Sequence, residues 1–378
     1  MKKTVAVLLS ALLLFSAGAC GGGDDDEDVI KFGVFEPLTG ANASGGQLEV
    51  EGIELANEMF PEVLGKKIKL VKADNKSDPV EAATAAAKLV EDEKVDIVLG
   101  SWGSTLSLAG GDSFKNNKIV AIGASCTNPQ VTLDNDYYYR ICFLDPFQGT
   151  VLANYAYNDM KVKKVGIIYE VSNDYAVGLR NFFKTAYTKL GGEIVAEVTY
   201  NTNDQDFSSQ LMTVMAKKPD VIFAPGNYTE AALIMKQARD QGYDVKFLGG
   251  DTWETQPLID VGGDAVEGCV ISSFFDAEAP INDTTAQFVD AYRKKYGKDP
   301  AAFTALGFDA YMTAYRAIEA AGSTDSDAIR EAMKTLEVEG CTGTIKFDEN
   351  GDAIKNMAVL KTVRGKKFVY MSTVTIKD

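Results

Sequence analysis

The sequence contains no histidine among its 378 residues, and this absence excludes several kinds of chemistry at once. Histidine is the usual proton carrier of serine and cysteine hydrolases near neutral pH, and it is a common metal ligand. The cysteines include no Cys-x-x-Cys pair, so a thiolate zinc site is unsupported as well. We therefore expect neither a hydrolytic triad nor a bound metal.

Motifs for nucleotide binding and for serine activation are also missing. The sequence has no Gly-x-Ser-x-Gly elbow, no Walker phosphate loop and no Gly-x-Gly-x-x-Gly fingerprint after its first predicted strand. Residues 123–127 (GASCT) resemble a serine elbow only superficially, because no histidine is present to act as the base. The sequence predicts a protein that is not an enzyme, has no catalytic residue and requires no cofactor.

Basic residues are in the minority, since 38 lysines and arginines stand against 54 aspartates and glutamates and the formal net charge is −16. Nucleic-acid binding depends on basic side chains that neutralise phosphates, so we expect no nucleic-acid partner. After the N-terminal segment, no apolar run approaches the roughly 20 residues that a membrane-spanning helix requires. The main part of the chain is therefore expected to be soluble.

The N-terminus has the pattern of an export signal. Two lysines precede an apolar run over residues 5–15, which is too short to cross a bilayer, and small residues then lead to Cys20. This arrangement resembles a bacterial lipobox, with Ala17 where leucine is usual. It predicts a lipoprotein signal peptide over residues 1–19 and lipidation of Cys20. An ordinary secreted protein with an incidental cysteine is the alternative.

A glycine-rich and acidic stretch follows the predicted cleavage site. Residues 21–23 are glycines, and residues 24–28 are all acidic. Such a stretch cannot bury a core and stays solvated. Residues 20–28 are therefore predicted to be a flexible acidic tether. Through the N-terminal lipid it would hold the protein at the membrane on the extracytoplasmic side, in the periplasm or on the outer face of the cytoplasmic membrane.

Four cysteines remain after the predicted lipidation site: Cys126, Cys142, Cys269 and Cys341. An even number of cysteines in an exported protein permits disulfides, and the pairs 126–142 and 269–341 are one of three possible connectivities. Buried free thiols are equally compatible with the sequence, which leaves the choice open.

From residue 29 onward, short apolar runs rich in strand-forming residues alternate with amphipathic helical stretches. The predicted strands are 30–35, 68–73, 96–99, 118–122, 164–169, 193–199, 220–224 and 245–248, and the predicted helices are 47–60, 79–93, 175–190, 207–215 and 231–241. This alternation indicates βαβ units with a parallel sheet that is covered on both faces. Because the rhythm restarts near residue 164, we predict an α/β fold with two doubly wound parallel-sheet lobes.

Two of the loops that follow predicted strands are rich in glycine and small hydroxyl residues. These loops are residues 100–105 (GSWGST) and residues 123–129 (GASCTNP). A serine or threonine at a helix start most often caps free backbone N–H groups. Two such loops at neighbouring strand ends also suit an anion such as a carboxylate, because helix N-termini present N–H groups there.

With these loops in place, the chain resembles the branched-chain (Leu/Ile/Val) amino-acid-binding proteins, which are type I periplasmic solute-binding components of ABC importers. The resemblance covers nearly all of the chain after the tether, and the order of its motifs is specific. The motifs are residues 34–40 (VFEPLTG), 104–105 (ST), 126–129 (CTNP), 143–149 (FLDPFQG), 173–175 (NDY), 227–230 (NYTE), 247–251 (FLGGD) and 341–348 (CTGTIKFD).

The resemblance implies how the chain is divided between the two lobes. Residues 29–144 plus 275–356 would form lobe 1, and residues 145–274 plus 357–378 would form lobe 2. A multi-crossing hinge would join them, with crossings near 143–145, 272–276 and 357–359. The lobes would close around a ligand by hinge motion.

The resemblance also implies the polar part of a ligand site. Ser104 matches the hydroxyl residue that binds the α-carboxylate of a free amino acid, and Thr127 matches a residue that contacts the zwitterion through its hydroxyl and its backbone N–H. Ser125 falls where a backbone carbonyl accepts a hydrogen bond from the α-ammonium. Asp251 falls where the family often has an acidic partner for the ammonium; a helix cap is its alternative role.

Aromatic residues complete the site that the resemblance implies. Tyr175 and Tyr228 match aromatic residues that close over the ligand, although ordinary rim positions would also explain them. Trp102 and Phe303 fall near the pocket for the ligand side chain, which favours an apolar side chain. By contrast, Arg140 and Arg180 are expected to be solvated or to flank strands.

Taken together, the sequence predicts a solute-binding lipoprotein that captures a free amino acid, most simply a branched-chain or other apolar one, and delivers it to ABC permease membrane subunits. The protein is expected to be a monomer. Alternatives are a binding protein for amides, urea or another small carboxylate, and a ligand sensor that does not take part in transport.

Overall fold

The computed structural model describes residues 29–376, so the predicted signal peptide, Cys20 and the tether lie outside the described residues. The first part of the described chain alternates strands and helices, as predicted. Its elements are β1 (Val29–Glu36), α1 (Ala43–Met59), β2 (Glu62–Val63), β3 (Lys66–Asp74), α2 (Pro79–Ala87), β4 (Ile97–Gly100), α3 (Ser104–Asn117), β5 (Ala121–Gly123) and β6 (Tyr138–Arg140).

The second part repeats this alternation. Its elements are α4 (Asp145–Asn154), β7 (Lys164–Glu170), α5 (Asp174–Lys189), β8 (Glu193–Tyr200), α6 (Ser208–Met215), β9 (Val221–Phe223), α7 (Tyr228–Asp240), β10 (Lys246–Gly249), α8 (Gln256–Gly262) and β11 (Val270–Ser273). The remaining elements are α9 (Asp283–Tyr296), α10 (Ala302–Ala321), α11 (Ser326–Met333), β12 (Glu337–Gly340), β13 (Gly343–Lys346), β14 (Met357–Val363) and β15 (Phe368–Thr375).

Two large sheets organise these elements. The first has the order β2-β3-β1-β4-β5-β6, and the second has the order β15-β14-β11-β10-β9-β7-β8. Pairing is parallel except for the edge pair β2–β3 and the strands β14 and β15, which run antiparallel. The predicted fold class, two doubly wound lobes built on largely parallel sheets, is confirmed. We use "first lobe" for the part built on the first sheet and "second lobe" for the part built on the second sheet.

The first sheet is covered on both faces because its strands are apolar on both sides. In β1, Phe32 and Val34 join the apolar cluster under α1 and α10, whereas Phe35 joins a separate cluster with α2 and α3. Alternate residues of a strand point to opposite faces, so this split follows directly from the sequence. The sequence of β1 is therefore a nearly continuous apolar run, as expected for a strand of a buried parallel sheet.

Helices α1 and α10 cross at very short range on one face of the first sheet. A Cβ atom added to Gly52 would lie 2.0 Å from the carbonyl oxygen of Thr304, and one added to Gly307 would lie 2.0 Å from the carbonyl oxygen of Glu49. Only glycine permits this close contact between the two backbones. The crossing fixes the part of α1 that faces the cleft between the lobes.

The chain passes between the two lobes three times. It leaves the first sheet after β6, returns after β11 to form α9 and α10, and enters the second sheet again at β14. All four described cysteines are free and buried, which answers the question of disulfides that the sequence left open. Within residues 29–376, the structure has no helix with the length and apolar character of a membrane span.

Candidate functional site

The predicted site residues come together where the carboxyl ends of the two sheets face each other. Ser104 follows β4, Thr127 follows β5, Tyr228 follows β9 and Asp251 follows β10. Tyr175 lies in the first turn of α5, which follows β7. All five are buried. The ends of parallel strands are where open α/β sheets bind ligands, so the placement has a physical basis in the topology.

Ser104 is the first residue of α3. The preceding Gly103 has φ of 90°, a left-handed value that favours glycine and turns the chain sharply into the helix. The Ser104 hydroxyl accepts a hydrogen bond from the backbone N–H of Asn128 at 3.1 Å, which ties the two hydroxyl-rich loops together. The free N–H groups of a helix N-terminus and this hydroxyl together suit a carboxylate.

The loop after β5 carries Ser125 and Thr127. The Thr127 backbone carbonyl accepts a hydrogen bond from the N–H of Asp145 at 3.0 Å. Its hydroxyl is buried and forms no short hydrogen bond, although it lies near enough to the Asp145 carboxyl to lower the pKa of that group. A buried hydroxyl without such a bond is costly, because it has given up water without replacing it. Thr127 is therefore a group that a ligand in the cleft would satisfy.

Arg140 holds this loop in place. It lies at the end of a strand, which was one of its two expected positions, but the expectation of a solvated side chain was wrong. The side chain is fully buried at the end of β6 and forms an ion pair with Asp352, with 2.5 Å between Nε and Oδ1. Its other nitrogens donate to the backbone carbonyls of Cys126, Asn128 and Pro129 and to the Thr132 hydroxyl. Such a buried arginine persists because every donor is satisfied.

Arg180 agrees better with the expectation. It lies on α5, is partly exposed and stands 3.2 Å from Glu197. Its guanidinium packs over the Tyr169 ring. It takes no part in the candidate site.

Asp251 faces the cleft from the second lobe. Its Oδ1 accepts hydrogen bonds from Gln148 Nε2 at 2.5 Å and from the Tyr175 hydroxyl at 2.9 Å. Its Oδ2 is buried without a partner. Burial raises the pKa of Asp251 to about 6, although the hydrogen bonds from Gln148 and Tyr175 oppose this rise. An incoming cation would pair with the free oxygen and stabilise the ionised form.

Asp145 is a further buried carboxyl group near Asp251. It is the first residue of α4, and its carboxyl lies near the Thr127 hydroxyl, which lowers its pKa. Burial raises its pKa well above the ordinary value, and the charge of Asp251 raises it further. Sequence reasoning noted Asp145 only as part of a motif and gave it no role in the site.

Tyr228 joins the two lobes. Its hydroxyl donates to the backbone carbonyl of Ala41 at 2.7 Å and accepts from the backbone N–H of Ser44 at 3.2 Å, both in the first lobe. Next to it, Asn227 Nδ2 donates to Asn42 Oδ1 at 2.9 Å. Burial raises the pKa of Tyr228 to about 12, so the hydroxyl keeps its proton at neutral pH.

A second group of contacts joins the lobes on the other side of the cleft. The backbone N–H of Asp174 donates to the Thr105 hydroxyl at 2.9 Å, and Asn128 Nδ2 donates to the Asp174 carbonyl at 2.8 Å. Together with the Tyr228 contacts, these bonds show that the lobes are closed on each other in this structure.

Trp102 and Phe303 lie side by side behind Tyr228. The ring centroids of Trp102 and Phe303 are 5.7 Å apart, and those of Trp102 and Tyr228 are 6.1 Å apart. A Cβ atom on Gly45 would lie 2.3 Å from the indole, so glycine at that position lets the ring lie against α1. The two predicted aromatic residues therefore form one apolar wall beside the polar groups.

Two buried glutamates in the first lobe were missed by sequence reasoning. Glu36 ends β1, and its Oε2 accepts a hydrogen bond from the backbone N–H of Trp102 at 2.7 Å. Glu49 lies on α1 and accepts a hydrogen bond from the Ser125 hydroxyl. The available signal was the position of Glu49 on the buried stripe of α1, beside Gly52 and Ile53, where a charged residue is unexpected.

Within residues 29–376, no group of three or more histidine, cysteine or acidic side chains is arranged to hold a metal ion. The polar groups of the cleft instead suit a small organic molecule. Ser104 and Thr127 bring hydroxyl groups to the cleft from the first lobe, and Asp251 brings a carboxylate from the second lobe.

Known proteins resemble this chain over most of its length. The profile of the family described as periplasmic binding protein matches residues 29–367. "Leu/Ile/Val-binding protein homolog 1" from Brucella abortus is 30% identical over 325 residues, which are 85% of this chain and 86% of that protein.

Solved structures extend the comparison. The leucine binding protein LivK from Thermotoga maritima is 41% identical, with a TM-score of 0.89 over 92% of this chain and 99% of that one. The branched-chain amino acid transporter substrate binding protein LivJ from Streptococcus pneumoniae, solved in complex with isoleucine, is 31% identical, with a TM-score of 0.86 over 93% of this chain and 100% of that one.

Proposed function

The chain belongs to the periplasmic binding protein family, and from this premise we propose that it captures a free amino acid between its two lobes for an ABC importer. The ligand is a branched-chain or other apolar amino acid. Relatives described as Leu/Ile/Val-binding, leucine-binding and isoleucine-bound support this choice. Because the family is one of solute-binding proteins, the chain acts outside the cytoplasm and passes its ligand to permease subunits.

One observation supports the proposal more than any other. A hydrogen-bond donor from the first lobe and a carboxylate oxygen from the second lobe are both buried at the cleft without a short hydrogen bond. Thr127 contributes a hydroxyl from the first lobe, and Asp251 contributes a carboxylate oxygen from the second. Burying such groups without partners is unfavourable. A zwitterionic amino acid supplies an acceptor for the first and a cation for the second, so its binding removes both costs.

The carboxylate end of the ligand is assigned to the first lobe. Ser104 and Thr127 supply hydroxyl donors, and the N-terminus of α3 supplies N–H groups. Hydrogen bonds to a charged acceptor are shorter and stronger than neutral ones. The ammonium end is assigned to Asp251 and to the backbone carbonyl of Ser125. Tyr175 orients Asp251 through its hydroxyl.

The side chain of the ligand is assigned to the apolar wall of Trp102 and Phe303. Neither residue offers a charged group to the cleft, and both are buried. An apolar side chain gains free energy by leaving water for such a wall, whereas a charged one loses its hydration there. This favours leucine, isoleucine and valine over acidic or basic amino acids.

Ligand capture proceeds by closure of the lobes. Residues 29–144 with 275–356 move as one unit, and residues 145–274 with 357–378 move as the other. Closure brings Tyr228 onto the backbone of residues 41–44 and completes the site. The proposed functional unit is a monomer.

The lipid anchor is a separate part of the proposal. Cys20 carries the lipid after the signal peptide has been removed, and residues 20–28 connect it to the domain. This tether keeps the captured ligand near the permease. Growth with labelled palmitate tests it: a Cys20→Ala variant should lose the label and be released from the membrane while it binds ligand normally.

Ligand identity is tested on the purified chain from residue 20 onward. Thermal-shift and calorimetric titrations would compare the twenty free amino acids with their amides and with urea. We expect leucine, isoleucine or valine at 100 times the dissociation constant to stabilise the protein by about 2.7 kcal/mol. If amides or urea shift the transition and no amino acid does, the assignment is wrong.

A further inference from the structure

Glu170 is a buried carboxylate of the second lobe that the proposed ligand site does not use. It is the last residue of β7. Within residues 29–376 no ion pair includes it, and Arg180 and Lys184 of α5 pair with Glu197 instead. A buried carboxylate without a basic partner is costly unless neutral donors satisfy it. The donors around Glu170 therefore indicate what this residue does.

One donor belongs to the segment that begins α5. Asn173 Nδ2 donates to Glu170 Oε2 at 3.0 Å, while Asn173 Oδ1 caps the N-terminus of the helix. The next residue makes the Asp174 contact, by which we mean its two backbone hydrogen bonds to Thr105 and Asn128 of the first lobe. Glu170 therefore fixes the start of α5 in the position from which it reaches the first lobe.

Another side of Glu170 faces the segment that begins α7. Burial raises the pKa of Glu170 to about 7, and the backbone N–H of Asn227 lies close enough to lower it in part. A Cβ atom on Gly226 would lie 3.7 Å from Glu170 Cβ and 2.0 Å from the Tyr200 hydroxyl, so only glycine fits there. Tyr228 follows directly, and its two hydrogen bonds to the first-lobe backbone are the Tyr228 contact.

Thr202, which follows β8, supplies a third partner. Its hydroxyl donates to Glu170 Oε1 at 2.5 Å. Glu170 therefore joins the segments that follow β7, β8 and β9. All of these partners belong to the second lobe, so Glu170 can order them before the lobes close. Groups that are ordered beforehand lose less conformational entropy when their contacts form.

We propose that Glu170 is a positioning residue for ligand capture, which holds the segments bearing the Asp174 contact and the Tyr228 contact in the orientation that lobe closure requires. The inference rests on the proposed function and adds to it a residue whose hydrogen-bond partners all lie in one lobe. Loss of Glu170 should weaken both closing contacts together, although they lie on opposite sides of the cleft.

The test uses Glu170→Gln in the chain from residue 20 onward. Glutamine keeps the size of the side chain but replaces a charged acceptor with a neutral amide, and one of its two polar atoms is a donor. It can therefore accept a hydrogen bond from Asn173 or from Thr202 but not satisfy both as the carboxylate does. Measurements are made at pH 8, above the pKa of Glu170.

Two control variants accompany it. Asp220→Asn changes a carboxylate of the same lobe that accepts two backbone N–H groups at the opposite end of β7, away from both closing contacts. Glu54→Gln removes a surface charge of α1, where Glu54 pairs with Lys72. Both controls should release leucine at the wild-type rate.

Stopped-flow fluorescence measures the association and release of leucine. Glu170→Gln should release leucine about fivefold faster than the wild type and associate at nearly the wild-type rate, because weakened hydrogen bonds act mainly on dissociation. If Glu170→Gln releases leucine at the wild-type rate, the inference is overturned while the proposed function stands. If the wild type binds no amino acid, the proposed function itself fails.

Double-mutant cycles distinguish positioning from a general loss of stability. Glu170→Gln is combined in turn with Tyr228→Phe and with Thr105→Val, which remove hydrogen bonds of the two closing contacts. Each second change should accelerate release less in Glu170→Gln than in the wild type, because the contact is already weakened. In Asp220→Asn the effects should simply add. Additive effects in either cycle with Glu170→Gln would overturn the inference.

A further variant protects the test against a folding defect. If circular dichroism shows that Glu170→Gln is unfolded, Asn173→Ser keeps a helix cap but removes the donor to Glu170. It loosens only the segment that begins α5, so it should accelerate leucine release and be coupled to Thr105→Val but not to Tyr228→Phe. Wild-type release from Asn173→Ser, or equal coupling to both changes, would overturn the inference.

Discussion

Arg140 and Asp352 form a buried ion pair that supports the loop with Thr127 from below, although 212 positions separate them in the sequence. The other N–H groups of Arg140 donate hydrogen bonds to backbone carbonyls of that loop and to the Thr132 hydroxyl. The pair therefore fixes the loop with Thr127 to the end of β6, which holds part of the proposed ligand site in position.

Replacing Asp352 with asparagine should destabilise the protein strongly. The change leaves the Arg140 charge buried without its partner, which typically costs about 3–5 kcal/mol. Urea denaturation followed by circular dichroism measures the loss. Asp299→Asn is the matched control, since Asp299 pairs with Arg293 at the surface and such a pair contributes about 0–1 kcal/mol. Equal losses in both variants would contradict the supporting role.

Removing the hydroxyl groups of the first lobe should weaken ligand binding. We expect Ser104→Ala and Thr127→Val each to cost about 1–3 kcal/mol in leucine affinity, because each removes a bond to a charged carboxylate. Isothermal calorimetry measures the change. Thr213→Ala, which removes an exposed hydroxyl on α6, should bind as the wild type does. Wild-type affinity in both site variants would refute the assigned carboxylate site.

Tyr228→Phe should make the closed state less stable without altering the apolar contact with Trp102. The change removes two hydrogen bonds to the first lobe, each worth about 0.5–1.5 kcal/mol. Stopped-flow fluorescence should show faster leucine release and little change in association rate. Tyr243→Phe, beyond the C-terminal end of α7, is the control. If Tyr228→Phe associated with leucine faster than the wild type but released it at the wild-type rate, the assigned role of Tyr228 would be contradicted.

Trp102→Leu should change which amino acids bind. The smaller side chain enlarges the pocket, so the affinity for phenylalanine relative to leucine should rise by about tenfold, as one extra apolar group in a pocket is worth roughly 1–3 kcal/mol. Competition calorimetry measures the ratio. Phe60→Leu, which packs on Tyr315 at the C-terminal end of α1, provides the control. A ratio that stays at the wild-type value would place the ligand side chain elsewhere.

The stability of the empty protein should depend on pH through Glu49. The pKa of this carboxyl is about 7 in the folded protein and has the ordinary value of 4.5 in the unfolded chain. A raised pKa in the folded state stabilises the protein fully below pH 4.5, and this contribution is lost as the pH rises through 7.

Urea denaturation of the ligand-free protein at pH 5, 6, 7 and 8 measures this contribution. The free energy of unfolding should fall less steeply with pH in Glu49→Gln than in the wild type. Some slope remains, because burial also raises the pKa of Glu170 to about 7. Glu54→Gln should keep the wild-type slope. Identical slopes in all three proteins would rule out a titrating Glu49.

The fold was predictable because it depends on local patterns. The alternation of apolar runs and amphipathic stretches predicted β1 and α5 to within one residue at each end. One difference has a simple physical cause: the predicted helix 79–93 ends as an α-helix at Ala87 and continues as a π-helical segment, Lys88–Asp92. Apolar periodicity does not distinguish between these two helix types.

The polar loops of the site were also predictable, since hydroxyl residues directly follow buried strands there. The groups that support them were not. Arg140 depends on Asp352, and Glu49 depends on Ser125, which is 76 positions away. Whether a charged residue is buried depends on such distant partners, and no local pattern contains them. Only the position of Glu49 on the buried stripe of α1 gave a signal.

The hydroxyl of Tyr228 forms hydrogen bonds to the first lobe through main-chain atoms of Ala41 and Ser44 only. Their side chains contribute nothing to these two bonds, so residues at both positions can change over evolutionary time without loss of the contact. Ligand choice, in contrast, is assigned to side chains such as Trp102. Descendants of one ancestral gene can therefore acquire different ligands while they inherit the same closing contact.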